Sequence, residues 1–343
     1  MKMIFLPFRT VLMIASLTLF VMSCKDDDDD DNTSDGQTVL QIAVANNDFD
    51  VLEAAALKAG SSITNVLSSS SKITVFAPTD AAFISYLGAT NEADAITRVN
   101  ALTSAQAADL LSYHVLNSEI KAAAVPAGPN AEVTTLRSGA NNKAYVTKSG
   151  STVSINGATV TTADVQATNG VIHIINQVLY PPAGNLVETA SANTNFELLV
   201  AAVSKAGLAE ALSGSNPLTV FAPTDSALLA TLRAVLGNPN LTEADAKAAI
   251  PTLTDTSEPL NVPTLKNILL YHVVSGRNYS AQLTAGAVPT LLTNNSVTVA
   301  LPSGGVTVTG SGNGGSAAKV VMANITTTNG VIHVIDRVLL PAQ

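Results

Sequence analysis

The sequence predicts an α+β fold arranged as two tandem domains, and three duplicated strings are the evidence for it. The strings are TVFAPTD at 74–80 and 219–225, Tyr-His-Val at 113–115 and 271–273, and Asn-Gly-Val-Ile-His at 169–173 and 329–333. They keep the same order in both copies, with offsets of 145, 158 and 160 residues. A period this long indicates a duplicated domain, because solenoid units are typically about 20–50 residues long.

Each copy opens with a helical pattern. In the first copy, apolar residues fall at helical spacing from Val51 to Ala59, and Gly60 follows as a fitting C-terminal cap. In the second copy the pattern predicts a helix over 196–206, with Asn195 as its N-cap and Gly207 after it. Helices therefore come first in both domains.

The TVFAPTD string predicts a strand that stops at its proline and a helix that starts directly afterwards. The strand covers Ile73 to Ala77 in the first copy and Leu218 to Ala222 in the second. Threonine and aspartate after the proline are favoured N-cap residues. The expected caps are Thr79, Asp80, Thr224 and Asp225.

A further helix is expected to end at the first Tyr-His pair, since Thr103 and Gln106 can form a capping box. Short strands and hairpin turns follow, with Asn156-Gly157 and Asn169-Gly170 as predicted turns. Helices followed by strands favour an α+β fold with an antiparallel sheet as its core. The predicted strands are 132–136, 144–147, 152–155, 171–175, 297–301, 306–309 and 331–335.

The three motifs together resemble the two sequence boxes and the central motif of fasciclin-like domains. The resemblance covers 37–180 and 184–343, and 181–183 belong to a short, stiff linker. It implies that each domain is a β-wedge or sandwich of about seven strands packed with several helices. It also implies a non-enzymatic adhesion protein without a cofactor. The residues of the structural motif are Thr79, Asp80, Asn169, Gly170, His173, Thr224, Asp225, Asn329, Gly330 and His333.

Each copy departs from the family pattern at one acidic position. The first has Asn176 where the second has the more family-like Asp336. The second has Asn324 where the first keeps Asp164. Each domain therefore lacks one acidic residue of the pattern.

The first 23 residues have the pattern of a secretory signal peptide. Lys2 and Arg9 make the start basic, and an apolar run over 11–22 is shorter than the ~17–25 residues that a spanning helix needs. The run ends at Ser23-Cys24, which resembles a bacterial lipobox, so Cys24 is the predicted lipidation site. The alternative is an ordinary secretory signal with an incidental cysteine.

Residues 24–36 predict an acidic, flexible tether. Asp26 to Asp31 are six consecutive aspartates, and such a run repels itself. A lysine and aspartates directly after a lipidated cysteine resemble the surface-export signal of Bacteroidetes lipoproteins. We therefore expect an outer-membrane lipoprotein exposed at the cell surface, with the periplasmic face as the alternative.

Composition argues against several classes of partner. Without Lys2 and Arg9 the chain has 15 basic and 26 acidic residues, a net charge of −11, and it contains no tryptophan. It lacks the basic surface that nucleic-acid binding needs. Cys24 is the only cysteine, so neither disulfides nor thiol chemistry are expected in the folded part.

The two Tyr-His pairs allow two interpretations. Buried Tyr and His side chains can fix the crossing of a helix and a sheet through ring packing and hydrogen bonds. The resemblance instead nominates Tyr113, His114, Tyr271 and His272 for partner binding, because this region of fasciclin-like domains is linked to adhesion. Duplication favours the packing role, since a packing motif must recur in every copy.

The remaining histidines do not form a catalytic or metal-binding pattern. On a strand, His333 and Asp336 would point to opposite faces, and no Gly-x-Ser-x-Gly elbow occurs. Each domain offers two histidines and no cysteine, whereas zinc needs three or four ligands. We therefore expect no enzyme, no metal and no cofactor.

The sequence thus predicts a surface-anchored adhesion lipoprotein that binds a cell, a matrix protein or a polysaccharide. The alternative is an extracytoplasmic carrier of a small apolar ligand such as a carotenoid, because some fasciclin-like proteins bind carotenoids.

Overall fold

A computed structural model describes residues 36–139 and 141–342. The predicted signal peptide, Cys24 and the aspartate run lie outside the described residues. Among the helices that the structure describes, none combines the length and apolar character that crossing a bilayer requires.

In the first repeat, helices dominate the first half and strands the second, apart from one early strand. The helices are α1 Val39–Ala45, α2 Asp50–Ala59, α3 Ser61–Ser68, α4 Asp80–Leu87, α5 Glu92–Ala101 and α6 Ser104–Ser112. The strands are β1 Ile73–Pro78, β2 Val115–Leu116, β3 Gly128–Thr134, β4 Lys143–Ser149, β5 Thr152–Ile155, β6 Ala158–Ala167 and β7 Gly170–Ile175.

The second repeat has the same order of elements. Its helices are α7 Leu186–Ser191, α8 Glu197–Lys205, α9 Ala209–Ser213, α10 Asp225–Val235, α11 Glu243–Ala249 and α12 Val262–Tyr271. Its strands are β8 Leu218–Pro223, β9 Val273–Ser275, β10 Gly286–Pro289, β11 Ser296–Ala300, β12 Thr307–Thr309, β13 Ala318–Thr327 and β14 Gly330–Ile335. The predicted α+β class with about seven strands per domain is confirmed.

The sheets are mixed, so the expectation of an antiparallel core is wrong at one position in each repeat. The strand order is β2-β1-β7-β6-β5-β4-β3 in the first sheet, and β9-β8-β14-β13-β12-β11-β10 in the second. One pair in each sheet, β1–β7 and β8–β14, is parallel, and it lies next to the short edge strand β2 or β9. Parallel pairing is possible here because helices and strands separate the partners along the chain.

Three local predictions also need correction. Helix α8 begins at Glu197, and Asn193 rather than Asn195 caps the 3₁₀ turn before it. Strands β6 and β13 were not predicted, because exposed residues and register shifts interrupt the alternation that marks a strand. The Asn156-Gly157 turn is confirmed between β5 and β6. The next turn is Thr168-Asn169, since Gly170 already pairs in β7.

Each repeat has its own hydrophobic core, divided by the sheet into a helix-side and a strand-side cluster. The helix-side clusters are centred on residues such as Phe49 and Phe83 in repeat one and Phe196 in repeat two. The strand-side clusters contain Tyr113 in repeat one and Tyr271 in repeat two. None of these four clusters of described residues draws on both repeats, so each repeat has a separate core.

Candidate functional site

The two Tyr-His pairs are buried at the C-terminal ends of α6 and α12. The Tyr113 hydroxyl donates to the Lys143 carbonyl at 2.7 Å and accepts from the Asn156 side chain at 2.9 Å. In repeat two the Tyr271 hydroxyl makes the equivalent bond to the Ser296 carbonyl, also at 2.7 Å. Each tyrosine thus joins the end of a helix to the far strands of its own sheet.

The histidine of each pair joins the helix to the segment after the last strand. His114 Nε2 accepts the Leu179 amide hydrogen at 2.9 Å, so Nδ1 carries the proton that is donated to the Leu110 carbonyl. His272 repeats both bonds, to Leu339 and Ile268. Burial lowers the pKa of both imidazoles to about 4, which keeps the rings neutral at pH 7.

The histidines of β7 and β14 are also fully hydrogen-bonded. His173 Nε2 lies 2.8 Å from the Ile120 carbonyl, and Nδ1 accepts the Asp164 amide at 3.2 Å. His333 makes the same two contacts with Asn278 and Asn324, and burial lowers its pKa to about 4. Any of the four rings would have to give up a hydrogen bond within the fold before it took a proton or a metal ion.

The acidic positions that differ between the copies are hydrogen-bond acceptors, and asparagine performs the same task. Asp164 Oδ1 accepts the Ala122 amide at 2.9 Å, and Asn324 Oδ1 accepts the Ser280 amide at 2.8 Å. Asn176 and Asp336 likewise each accept one backbone amide from β6 or β13, at 2.8 Å. The missing carboxylates therefore leave the local hydrogen bonding intact.

Asp80 and Asp225 stabilise a neighbouring helix rather than cap their own. The two carboxylate oxygens of Asp80 accept the Asp50 and Val51 amides at the start of α2, at 3.2 and 2.8 Å. Asp225 does the same for α8. Thr79 and Thr224 are the N-caps of α4 and α10, as predicted. The two residues of the string thus hold two helices in place.

The asparagine of Asn-Gly-Val-Ile-His fixes the chain that enters each repeat. Asn169 accepts the Val39 amide at 2.8 Å and donates to the Leu67 and Ser69 carbonyls. The Thr168 amide beside it donates to the Gln37 carbonyl at 2.9 Å. In repeat two, Asn329 and Thr328 hold the end of the linker through Leu186 and Gly184 in the same way.

The glycine that follows is required by close packing of two strands. A β-carbon at Gly170 would lie 2.0 Å from the Ile73 carbonyl oxygen, and one at Gly330 would lie 2.2 Å from that of Leu218. Both glycines lie where the parallel strand pair begins. A larger residue would push these strands apart.

One cluster of carboxylates has the geometry to approach a cation. Ligand oxygens of Asp50, Asp80 and Glu92 lie within 4.8 Å of one another. Burial raises the pKa of Asp80, although its oxygens already accept two helix amides. In repeat two the Lys247 ammonium lies against Glu197 and supplies a positive charge near Asp225.

The junction of the two repeats is polar and was not predicted. The buried Arg277 lies over the Tyr145 ring of repeat one, with 3.9 Å from Cζ to the ring centroid. Its backbone carbonyl accepts the side-chain amide of Asn130 at 2.7 Å. Gln282 donates to both Asn130 and Thr147. Repeat two thus inserts one short segment into the strand face of repeat one.

A second part of the junction reaches the Tyr-His motif of repeat one. The buried Tyr279 hydroxyl donates to Asn156 Oδ1 at 3.1 Å, and the amide nitrogen of Asn156 donates to Tyr113. Nearby, the Asn324 side chain donates to Gln177 at 3.0 Å. At Gly157 a β-carbon would lie 2.6 Å from Asn324, so the repeats meet closely there.

A duplicated α+β domain whose repeated motifs join helices to the sheet defines a tandem-domain protein. The profile of the Fasciclin domain matches residues 48–181 and 194–341, and the chain belongs to this family. Proteins of the family are generally adhesion-related and non-enzymatic, and they are secreted or lie at the cell surface.

Similar proteins occur in bacteria and animals. The chain is 38% identical over 170 residues to protein sll1483 of Synechocystis sp., covering 49% of this chain and 79% of that protein. It is 32% identical over 194 residues to the transforming growth factor-beta-induced protein ig-h3 of Oryctolagus cuniculus, covering 55% and 26%. A solved FAS1 domain pair from the insect cell adhesion molecule fasciclin I is 21% identical, with a TM-score of 0.40 and coverage of 84% and 95%.

Proposed function

We propose that this protein is a non-enzymatic adhesion lipoprotein, anchored through Cys24 and displayed at the surface of the outer membrane. The observation that carries the proposal is a lipobox-like cysteine followed by two domains of an adhesion-related family. The ligand would be a protein or a polysaccharide at the cell surface. The tether would hold 37–180 and 184–343 away from the membrane as a pair of domains.

In this proposal the Tyr-His pairs organise the domains and do not touch the ligand. Tyr113, His114, Tyr271 and His272 are all at most 3% exposed, and their polar atoms have partners within the fold. Partner binding through these side chains would require the helix ends to open. The motif would then affect adhesion only through stability.

The anchor is tested by Cys24→Ser. We expect the variant to lose incorporation of labelled palmitate and to leave the membrane fraction, because stable attachment needs several acyl chains. Folding, followed by circular dichroism, should be unchanged. A variant that still fractionates with membranes would contradict lipid anchoring at Cys24.

Surface display is tested by replacing Asp26 to Asp31 with serine and glycine. Lipidation should persist, while protease treatment of intact cells should remove much less of the variant than of the wild type. Equal removal of both would show that the aspartates are not an export signal.

Adhesion itself is tested with the intact surface protein. A deletion strain should attach less to matrix proteins or polysaccharides, and complementation should restore attachment. Normal attachment of the deletion strain on every coating would contradict the adhesive function.

A carrier of a small apolar ligand is the second candidate, because repeat one contains a cavity of about 290 Å³. Apolar side chains such as Phe76, Val125 and Val153 line it together with His173. The volume is at the lower end for ligand pockets and fits a compact molecule better than an extended polyene. Solvent extraction of protein purified from its native host, followed by mass spectrometry, is the test, and a ligand-free preparation would contradict this candidate.

A further inference from the structure

A groove with a volume of about 180 Å³ lies at the junction of the two repeats, beside the linker. Both repeats contribute to its walls, so it exists only in the domain pair. The residues that matter here are Tyr86, Asn176, Gln177 and Tyr180 of repeat one, and Val321 and Met322 of repeat two.

Two tyrosines form an aromatic wall of the groove. The ring centroids of Tyr86 and Tyr180 are 4.9 Å apart, with an interplanar angle of 54°. Burial raises the pKa of Tyr180 to about 12, so its hydroxyl stays neutral. Among the described residues, neither hydroxyl has a hydrogen-bond partner. Two half-buried rings with free polar ends therefore face a space that the protein does not fill.

Two side-chain amides supply further donors. Asn176 and Gln177 use their oxygens to accept from the Thr159 backbone and from the Asn324 side chain, at 2.8 and 3.0 Å. Their nitrogens donate no hydrogen bond to any residue that the structure describes. These contacts fix the orientation of both amides and leave the NH₂ groups available.

The opposite wall is apolar and exposed. Val321 and Met322 of β13 are 59% and 44% exposed, and their counterparts in β6 are Thr161 and Thr162. Apolar residues have thus replaced polar ones on the strand that faces the groove. None of the described residues that line the groove is charged.

We propose that this groove binds a neutral polysaccharide, with one sugar ring held against the Tyr86–Tyr180 pair. The inference rests on the proposed adhesive function and adds the chemical class of its ligand. A sugar ring offers apolar C–H faces, which pack on aromatic and apolar side chains, and hydroxyls, which accept from amides and phenols. The uncharged walls favour a neutral glycan over an anionic one, which would need cationic side chains.

Repeat two contains the matched control. The positions that correspond to Tyr86 and Tyr180 are Thr231 and Leu340, and those of the two amides are Asp336 and Arg337. Repeat two therefore has no aromatic pair at the equivalent surface and carries charge there. One glycan site per chain is expected.

The direct test is calorimetric titration of the full mature protein with laminarin, mannan and chitohexaose, and with alginate as the anionic comparison. At least one neutral glycan should bind with a stoichiometry of one, and alginate should not bind. Tyr180→Ala should weaken binding roughly fivefold, since a lost aromatic contact is worth about 1 kcal/mol. Thr231→Ala should leave binding unchanged.

Met322→Lys guards against a folding defect, because the side chain is exposed and its replacement need not disturb the core. It should weaken neutral-glycan binding at an unchanged melting temperature. Failure of every neutral glycan to bind, or equal affinity in wild type, Tyr180→Ala and Met322→Lys, would overturn the proposal. If cells carrying Tyr180→Ala adhered normally, the groove would not be the adhesive site, although the adhesive function would stand. If the protein bound a neutral glycan but cells did not adhere, the groove would be supported and the adhesive function would be rejected.

Discussion

The two repeats satisfy the same three backbone carbonyls at the turn before the last strand with different side chains. In repeat one, Gln166 donates to the Ala167 and Gly170 carbonyls at 3.1 Å, and Lys72 donates to that of Thr168 at 3.0 Å. In repeat two, Arg277 alone donates to all three equivalent carbonyls.

The two repeats use different donors because the donor in repeat two also faces repeat one. Arg277 aligns with Glu119 of repeat one. A carboxylate oxygen of Glu119 lies 3.5 Å from the Lys72 ammonium nitrogen. Replacing that acid by arginine places a buried guanidinium between the turn and the Tyr145 ring of the other repeat. One residue then completes the turn and joins the two domains. The same carbonyls need donors in both repeats, but the donor side chain differs because only Arg277 also contacts the other repeat.

The largest loss of stability is expected when the tyrosine of a Tyr-His pair is replaced, a position that both repeats share. Tyr113→Ala and Tyr271→Ala should each cost their own repeat about 3–5 kcal/mol, as large-to-small core changes do. Only Tyr113 is linked to the other repeat, through Asn156 and Tyr279. Hydrogen exchange should therefore show that Tyr113→Ala also loosens the Tyr279 segment, whereas Tyr271→Ala leaves repeat one unchanged.

Tyr113→Phe is the control for that experiment, since it keeps the ring and removes only the hydroxyl. We expect a loss of about 1–2 kcal/mol and the same loosening at Tyr279. If the alanine variants melted like wild type while adhesion disappeared, the tyrosines would be exposed contact residues and the packing interpretation would be wrong.

Acid should weaken both repeats through their Tyr-His pairs, because His114 and His272 have the same environment, and repeat two has a further buried histidine of low pKa in His333. His114 and His272 have a pKa of about 4 in the folded protein, below the usual value of 6.5. The unfolded chain therefore binds protons first as the pH falls from 6.5 to 4, and the free energy of unfolding decreases. The loss should approach roughly 3 kcal/mol per histidine near pH 4.

Urea unfolding between pH 7 and 4 measures this loss. His272→Gln should lower stability at pH 7 but reduce the pH dependence of repeat two, while repeat one keeps its own. A free energy of unfolding that is constant over this range, in wild type, would contradict the buried neutral state of the rings.

Removing Arg277 tests whether one donor supports both the turn and the junction. Arg277→Met should cost repeat two about 2–3 kcal/mol, because three carbonyls lose a charged donor. Lys72→Met in repeat one should cost about 0.5 kcal/mol or less, since Lys72 is exposed and supplies one bond. Small-angle scattering should show a looser domain pair only for Arg277→Met. Equal losses of unfolding free energy in the two variants would contradict the double role of Arg277.

The smallest changes in stability are expected at Asp164 and its counterpart Asn324, where one repeat has an acid and the other an amide. Asp164→Asn should change stability by less than about 0.5 kcal/mol, because the amide oxygen keeps the bond from Ala122. Asn324→Asp should cost about 1–2 kcal/mol, since it removes the donors to Gln177 and Ser280 at the junction. Denaturant titration of the two variants measures both, and equal costs would contradict the added role of Asn324.

The sequence predicted the elements whose determinants are local. Thr103 with Gln106 and the threonine after each TVFAP marked helix starts that the structure confirms. The β1–β7 pairing escaped prediction because its partners lie about a hundred residues apart and nothing local distinguishes parallel from antiparallel pairing. The capping of α2 by Asp80 escaped for the same reason: the acceptor and the helix are in different segments.

The junction and the groove could not be found from the repeats, because comparing copies shows only what they share. Arg277, Tyr279 and Gln282 make the junction contacts, and they align with the unlike residues Glu119, Lys121 and Ala124 of the first copy. A signal for the groove was nevertheless present. Tyr86 and Tyr180 are aromatic residues in a chain with few of them, and their counterparts are Thr231 and Leu340. Departures from the repeat pattern mark the specialised surfaces.

The bond between the Thr168 amide and the Gln37 carbonyl has a mechanical consequence. The chain enters repeat one at this point, beside Asn169 and next to the first residue of strand β7. The linker enters repeat two at the equivalent point. A pull from the N-terminal side of either repeat therefore reaches the parallel strand pair of its sheet before it reaches the outer helices. Tension along the chain is carried by the parallel strand pair, in which six residues of each strand are aligned.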